Sequence, residues 1–159
     1  MTEFEKAMQF VLKWEGGYVN DPTDSGGQTK YGISDRGDGV VDGHADLDGD
    51  KIGDVPIKDM TLADALQAYK TRYWDFYKLY NFPSPLCIAM FDAFVQHNPK
   101  RVAEWIPKDY SNWKGFNESR RLFYLRLIEK NPSQNRFKRG WMNRLNDLDK
   151  LCTIESQEE

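Results

Sequence analysis

Apolar residues recur at helical spacing from the start of the chain: Phe4, Ala7, Met8, Val11 and Leu12 form one stripe. Thr2 and Glu5 stand three residues apart ahead of it, a capping box that predicts where the helix begins. Gly16 and Gly17 follow, and a glycine there can take the left-handed conformation that ends a helix. From 18 to 34 the helical period is lost. Short extended pieces surround Asn20-Asp21-Pro22 and Ser25-Gly26-Gly27, which predicts a β-hairpin or small sheet. Residues 35–60 are rich in Gly and Asp with little periodicity, so they read as a loop in need of an organiser. A helix returns over 61–80, capped by Thr61 and Asp64, with Leu62, Ala65, Leu66, Tyr69 and Tyr73 facing inward. Ser84 and Pro85 fit the cap and first residue of another helix. Its run 86–95 is apolar on nearly all sides, as a central buried helix is. Helices near 99–106, 117–130 and 134–151 complete a mainly α chain with one small N-terminal β element. No internal repeat is present.

The length of 159 residues suits one domain with a genuine core. Its 5 Trp, 8 Tyr and 9 Phe exclude a disordered polyelectrolyte. The longest uncharged apolar run, 86–91, is far short of the ~20 residues that span a bilayer, so no membrane insertion is expected. Glu3, Glu5 and Lys6 are unlike a secretory signal. Cys87 and Cys152 fit no metal or redox spacing, and His44 and His97 are too few for a zinc site. The net charge of −3 hides a division. Residues 1–64 hold 6 basic and 14 acidic side chains, whereas 65–159 hold 16 basic and 11 acidic. Such a split points either to a solvated helix face or to a surface for an anionic polymer.

Glu15 extends the apolar stripe to the end of the first helix. A buried position at the negative end of a helix favours the protonated acid, the form that general-acid cleavage of a glycoside requires. The alternative is a Glu turned outward, or paired with a buried Arg such as Arg72 or Arg144. Asp24 falls in the turn of the expected hairpin, with Thr29 on the returning strand. A hairpin folded over the helix end would face Asp24 toward Glu15, where it could activate water held by Thr29. Equally, Asp before Ser-Gly-Gly is ordinary turn chemistry.

The run Lys13-Trp14-Glu15-Gly16-Gly17-Tyr18-Val19-Asn20-Asp21-Pro22, continued by Asp24-Ser25-Gly26-Gly27-Gln28-Thr29-Lys30-Tyr31-Gly32-Ile33-Ser34, resembles the signature of glycoside hydrolase 108 lysozymes. These are phage endolysins and related secretion-activator muramidases. Tyr73-Trp74-Asp75 and Phe91-Asp92-Ala93 resemble later elements of that family. Residues 137–144 resemble its C-terminal peptidoglycan-binding region. The resemblance implies a lysozyme-like fold that cleaves the β-1,4 bond after N-acetylmuramic acid, with Glu15 as the acid. It also implies Asp24 and Thr29 as partners, with Tyr18, Gln28 and Tyr31 lining the sugar groove and no catalytic cofactor. Thr29 follows Asp24 by one position fewer than the usual spacing, so Ser34 or Tyr31 could supply the hydroxyl instead. The implied organisation is a catalytic region 1–98 with the acidic insert 35–60, and a peptidoglycan-binding region 99–159, packed together as a monomer. An endolysin would wait in the host cytoplasm and then act on the cell wall. A secretion-associated muramidase and a non-catalytic, calcium-stabilised wall-binding module are the alternatives.

The insert carries its own chemistry. Asp46, Asp48, Asp50 and Asp54 occupy positions 1, 3, 5 and 9 of an EF-hand-like loop, with the Ile52 carbonyl at position 7. Lys51 stands where such loops have Gly, and Ile57 where they have a bidentate Glu, a ligand that Asp59 could replace. The expectation is a structural calcium ion; the alternative is a solvated Asp/Gly turn. In the basic half, Phe137, Trp141, Leu145 and Leu148 read as a core stripe. Lys138, Arg139 and Arg144 read as contacts for the carboxylates of peptidoglycan. Nucleic acid is not expected as a partner: no recognised motif accompanies the basic face, and the first half is strongly acidic.

Overall fold

The computed structural model describes residues 1–17, 19–20, 27–35 and 39–158, Val19 by its backbone alone. Among them the chain divides into two compact units, Thr2–Lys78 and Leu79–Glu159, the second including Met1.

In the first unit the Thr2 hydroxyl accepts from the Glu5 amide at 3.1 Å and the Glu5 carboxylate accepts from the Thr2 amide at 2.9 Å. This capping box opens α1 (Glu3–Trp14), whose stripe buries Ala7, Met8, Phe10 and Val11. The helix does not end on a left-handed glycine. Glu15 itself leaves it in an extended conformation (φ −93°, ψ 112°), its amide still donating to the Val11 carbonyl. The expected hairpin is a three-stranded antiparallel sheet of β1 (Val19–Asn20), β2 (Gln28–Lys30) and β3 (Ile33–Ser34), in the order β1-β2-β3. Thr29 sits opposite both Val19 and Ser34. The insert is more ordered than its composition suggests: β4 (His44–Ala45) and β5 (Val55–Pro56) pair antiparallel and bracket the acidic loop. Ala45, Leu47, Ile57 and Met60 are buried beneath it.

A second capping box, Thr61 with Asp64, opens α2 (Leu62–Tyr69). Leu62, expected inside, is about half exposed, because it is the first helical residue and lies off the buried face of Ala65, Ala68 and Tyr69. The helix then widens into a π-helix over Lys70–Asp75. Trp74 is buried there, its ring 5.6 Å from that of Phe4.

The second unit is helical. Its α3 (Leu86–Gln96) begins one residue later than expected, and no side chain caps it. Nine consecutive residues, Leu86 through Phe94, are buried, because α3 packs against α4 (Pro99–Trp105), α5 (Trp113–Lys130) and α6 (Lys138–Gln157). The boundary between compact units, at 78/79, precedes α3. No described helix is long and apolar enough to cross a membrane.

Candidate active site

The end of α1 delivers Glu15 to the turn between β2 and β3. Gly32 in that turn has φ 78°, and a Cβ there would stand 2.9 Å from Glu15 Cβ and Cγ and 2.6 Å from the Tyr69 hydroxyl. Only glycine meets both demands, the left-handed backbone and the close approach. The Tyr69 hydroxyl donates to the Tyr31 carbonyl at 2.7 Å and so pins the turn to α2. Tyr31 also takes a left-handed conformation, φ 52°. The Tyr69 and Tyr73 rings stack at 5.7 Å. Burial raises the Tyr73 phenol above its ordinary value; Arg72 opposes that rise and the Glu15 charge adds to it. The half-buried Glu15 carboxylate thus lies within electrostatic reach of Tyr73.

A cleft of about 150 Å³ opens here, lined by Gly32, Ile33, Ser34, Ala68, Tyr69, Arg72 and Tyr73. The π-helix contributes to it directly. Its extra residue per turn lets Arg72 and Tyr73 both reach the wall that Tyr69 begins, and such widened turns recur at functional sites. Thr29 is the cross-strand partner of Ser34, so the two hydroxyl side chains share one face of the sheet. Tyr31 presents its carbonyl to Tyr69, while its ring lies 5.5 Å from the Lys30 ammonium. Gln28 turns toward the insert, its amide nitrogen 3.4 Å from where a Cβ on Gly43 would stand. Tyr18 and Asp24 lie outside the described residues. Sequence reasoning placed Tyr69 and Tyr73 in the core and gave Gly32 and Arg72 no role in the cleft. Their signals were present, since Gly32 lies inside the family-like run and Tyr73 begins the Tyr-Trp element.

The acidic loop closes on itself. Asp46, Asp48, Asp50 and Asp54 bring carboxylate oxygens within 4.8 Å of one another. Asp46, 2% exposed, accepts from the amides of Asp48, Gly49 and Lys51. Asp48 and Asp50 accept from the amides two residues on, and Asp54 from that of Leu47. Burial alone would raise the Asp46 acid, but the amides of Lys51, Gly49 and Asp48 hold it below its ordinary value. For Asp48 the Asp50 amide favours the charged form, yet desolvation and the Asp50 and Asp46 carboxylates raise it overall. Four mutually repelling hard oxygen donors with no softer ligand fit a hard cation. Lys51 takes the left-handed conformation, φ 68°, at the position where such loops have Gly. Asp59 lies in the 3-10 turn Ile57–Asp59 and is not among the four that converge. Arg72 connects the two features, lining the cleft while its Nη1 donates to the Asp46 carbonyl at 3.3 Å.

In the second unit Arg144 proves to be no wall contact. It is 7% exposed and donates Nη2 to Asp92 at 2.6 Å, while Arg120 Nη1 donates to the other Asp92 oxygen at 2.7 Å. The apolar stripe brings Arg144 inward beside Leu145 and Leu148, where it meets the buried Asp92. The stripe itself loses its first two members to the surface, Phe137 exposed and Trp141 half-buried.

Residues 8–97 match the family model of glycosyl hydrolase 108, and 111–146 match that of a predicted peptidoglycan domain. The solved structure of SagA from Brucella abortus is similar over 96% of this chain and 95% of its own, with a TM-score of 0.67 and 21% identity. That likeness shows a shared fold, mainly helical and lysozyme-like with small sheets. No curated protein matches the chain. Because the first family model spans more than half of its length, the chain belongs to glycosyl hydrolase family 108 and is a glycoside hydrolase, with muramidase-type activity on peptidoglycan implied by the two domains together.

Proposed function

We propose that the chain is an N-acetylmuramidase that hydrolyses the β-1,4 bond between N-acetylmuramic acid and N-acetylglucosamine, with Glu15 as general acid. The observation that carries this reading is the release of Glu15 from the helix end against Gly32, beside Tyr69 and Tyr73. A proton passed from the Glu15 carboxyl to the glycosidic oxygen lets the bond break without expelling an alkoxide, leaving an oxocarbenium-like sugar. Asp24 is assigned to orient the attacking water, with the Thr29 hydroxyl assisting and Ser34 beside it on the sheet face. Tyr18, Gln28 and Tyr31 complete the groove in this reading. The loop carboxylates Asp46, Asp48, Asp50 and Asp54, with the Ile52 carbonyl, would hold a structural calcium ion. The family resemblance supports a lytic role at the end of a phage cycle, with the chain held in the host cytoplasm until it reaches the wall.

Muropeptide analysis of digested peptidoglycan tests the bond: new reducing-end N-acetylmuramic acid is expected, and new reducing-end N-acetylglucosamine would refute it. Glu15→Gln should lower wall hydrolysis by at least a hundredfold while circular dichroism and the melting temperature stay unchanged, in line with the loss of general-acid catalysis. A folded Gln variant that clears walls at the native rate sinks the assignment.

A further inference from the structure

The second unit holds a pocket of about 400 Å³ at the end of α3, formed with residues of α4, α5 and α6. Its apolar wall is aromatic: Tyr124 and Trp141 stack at 4.5 Å with their planes 15° apart, and Phe123 lies alongside. Trp141 thus spends its indole on a pocket wall rather than in the core. Beside Gln96, three of the polar side chains lining it can donate: Arg101, Asn98 and His97. Arg101 is fixed by its own stacking, its guanidinium 4.6 Å from the Phe123 centroid, and has no carboxylate partner among the described residues. Asn98 uses its side-chain oxygen to cap α4, which leaves its NH2 to donate. His97 Nε2 accepts from Arg120 Nε at 3.0 Å, so the proton of the neutral ring sits on Nδ1. Burial first, then Arg120, push His97 down to about 3, so the ring is neutral near pH 7. Among the described residues no Asp or Glu lines the pocket.

A further positive charge lies behind this wall. Arg120 is fully buried, its guanidinium 5.9 Å from the Tyr124 centroid, and its Nη2 has no hydrogen-bond partner. Arg120 shares the Asp92 carboxylate with the buried Arg144. The pocket therefore combines the Arg101 cation, with Arg120 behind the wall, fixed donors and flat apolar faces. A sugar ring alone would leave the charge unanswered, and a phosphate would find no use for the aromatic wall.

We propose that this pocket binds a free carboxylate of the peptide stem of peptidoglycan, seating the carboxylate on Arg101, His97 and Asn98 and the adjoining small apolar side chain against Trp141 and Tyr124. The proposal rests on the muramidase reading for its ligand source, not for its geometry. It assigns the second unit a defined subsite: the enzyme is held where stems are uncapped, and binding weakens with salt.

The test uses the full chain and a synthetic stem pentapeptide with a free C-terminal carboxylate, compared with its C-terminal amide, by calorimetry. Binding to the acid at least tenfold tighter than to the amide is expected, with Arg101→Gln removing that preference and Trp141→Ala weakening both. Equal affinity for acid and amide, no measurable binding, or an Arg101→Gln variant that keeps the preference overturns it. Hydrolysis is measured in parallel on glycan strands stripped of peptide, where Arg101→Gln should match the native rate while losing at least threefold on intact walls. A chain that cleaves stripped strands yet binds no pentapeptide refutes the subsite alone. One that binds pentapeptide yet cleaves no strand refutes the muramidase reading instead.

Discussion

Asp46 and Asp92 are both almost fully buried carboxylates, 2% and 1% exposed, one in each compact unit, yet they are kept charged by different means. Burial alone would raise both, and both are held below their ordinary value. Asp92 is held down by the guanidinium groups of Arg120 and Arg144, full charges supplied by side chains of α5 and α6. Asp46 is held down by backbone amides of its own loop, dipoles that leave its negative charge uncancelled. The first arrangement is closed around the carboxylate: two guanidinium groups meet it within the helices and leave it no negative charge to offer a ligand. The second remains a net negative site, with three more carboxylates crowded beside it. Helices bury whole charges where side chains can meet, whereas irregular loops aim backbone dipoles and leave charge over for a ligand.

Removing Asp92 should break the closed arrangement most severely. Asp92→Asn removes the counter-charge that two buried cations share, a change that typically costs about 3–5 kcal/mol. Urea denaturation should show that loss in the second unit, and a loss under about 1 kcal/mol would mean that water or another carboxylate compensates the arginines. A triple replacement of Asp92, Arg120 and Arg144 by apolar residues of similar volume should recover most of it, since burial of matched charges is seldom better than good packing.

The open arrangement should respond to a cation instead. At calcium a hundredfold above its dissociation constant the chain should gain about 2.7 kcal/mol. A melting temperature that rises with calcium and falls again with chelator is the readout. Asp46→Asn should abolish the rise. If calcium leaves the melting temperature of the native chain unchanged, the loop is an Asp/Gly turn and no more.

The sequence made some of these contrasts readable and concealed others for physical reasons. Both capping boxes, the all-round apolar α3 and the alternating carboxylates at 46–54 follow from local spacing, and each stands in the structure. The cleft beside Glu15 depends on non-local contacts: Tyr69 reaches the Tyr31 carbonyl 38 residues away, and the π-helix that turns Arg72 and Tyr73 to the same wall leaves no periodicity signal. Arg144 was misread for a related reason. A cation in an exposed-looking basic run is normally solvated, and nothing local shows that Asp92, 52 residues earlier, waits for it. Trp141 fits a core stripe by spacing, yet the helix presents it where Tyr124 makes one side of a pocket.

The most gradual effect, spread over several pH units, concerns the neighbour of the closed arrangement. His97 faces Arg120, Arg144 and Arg101 as well as Asp92, and burial with those cations pushes it from 6.5 to about 3. In the folded state it stays neutral across that interval, whereas in the unfolded chain it takes up a proton as pH falls through 6.5. The unfolded state then binds more protons, so stability is complete above about pH 6.5 and is lost progressively toward pH 3. The slope for one proton is at most about 1.4 kcal/mol per pH unit. Asp92 adds its own loss only below its ordinary 3.8, also in the falling direction. Asp48, raised in the fold, acts in the opposite sense above it, so His97 is read from the difference between native and variant chains. Urea midpoints measured over the interval from 4 to 6.5 should fall with pH in the native chain and flatten in His97→Gln, which can still accept from Arg120 but cannot titrate. An equal slope in both would place the titrating group elsewhere.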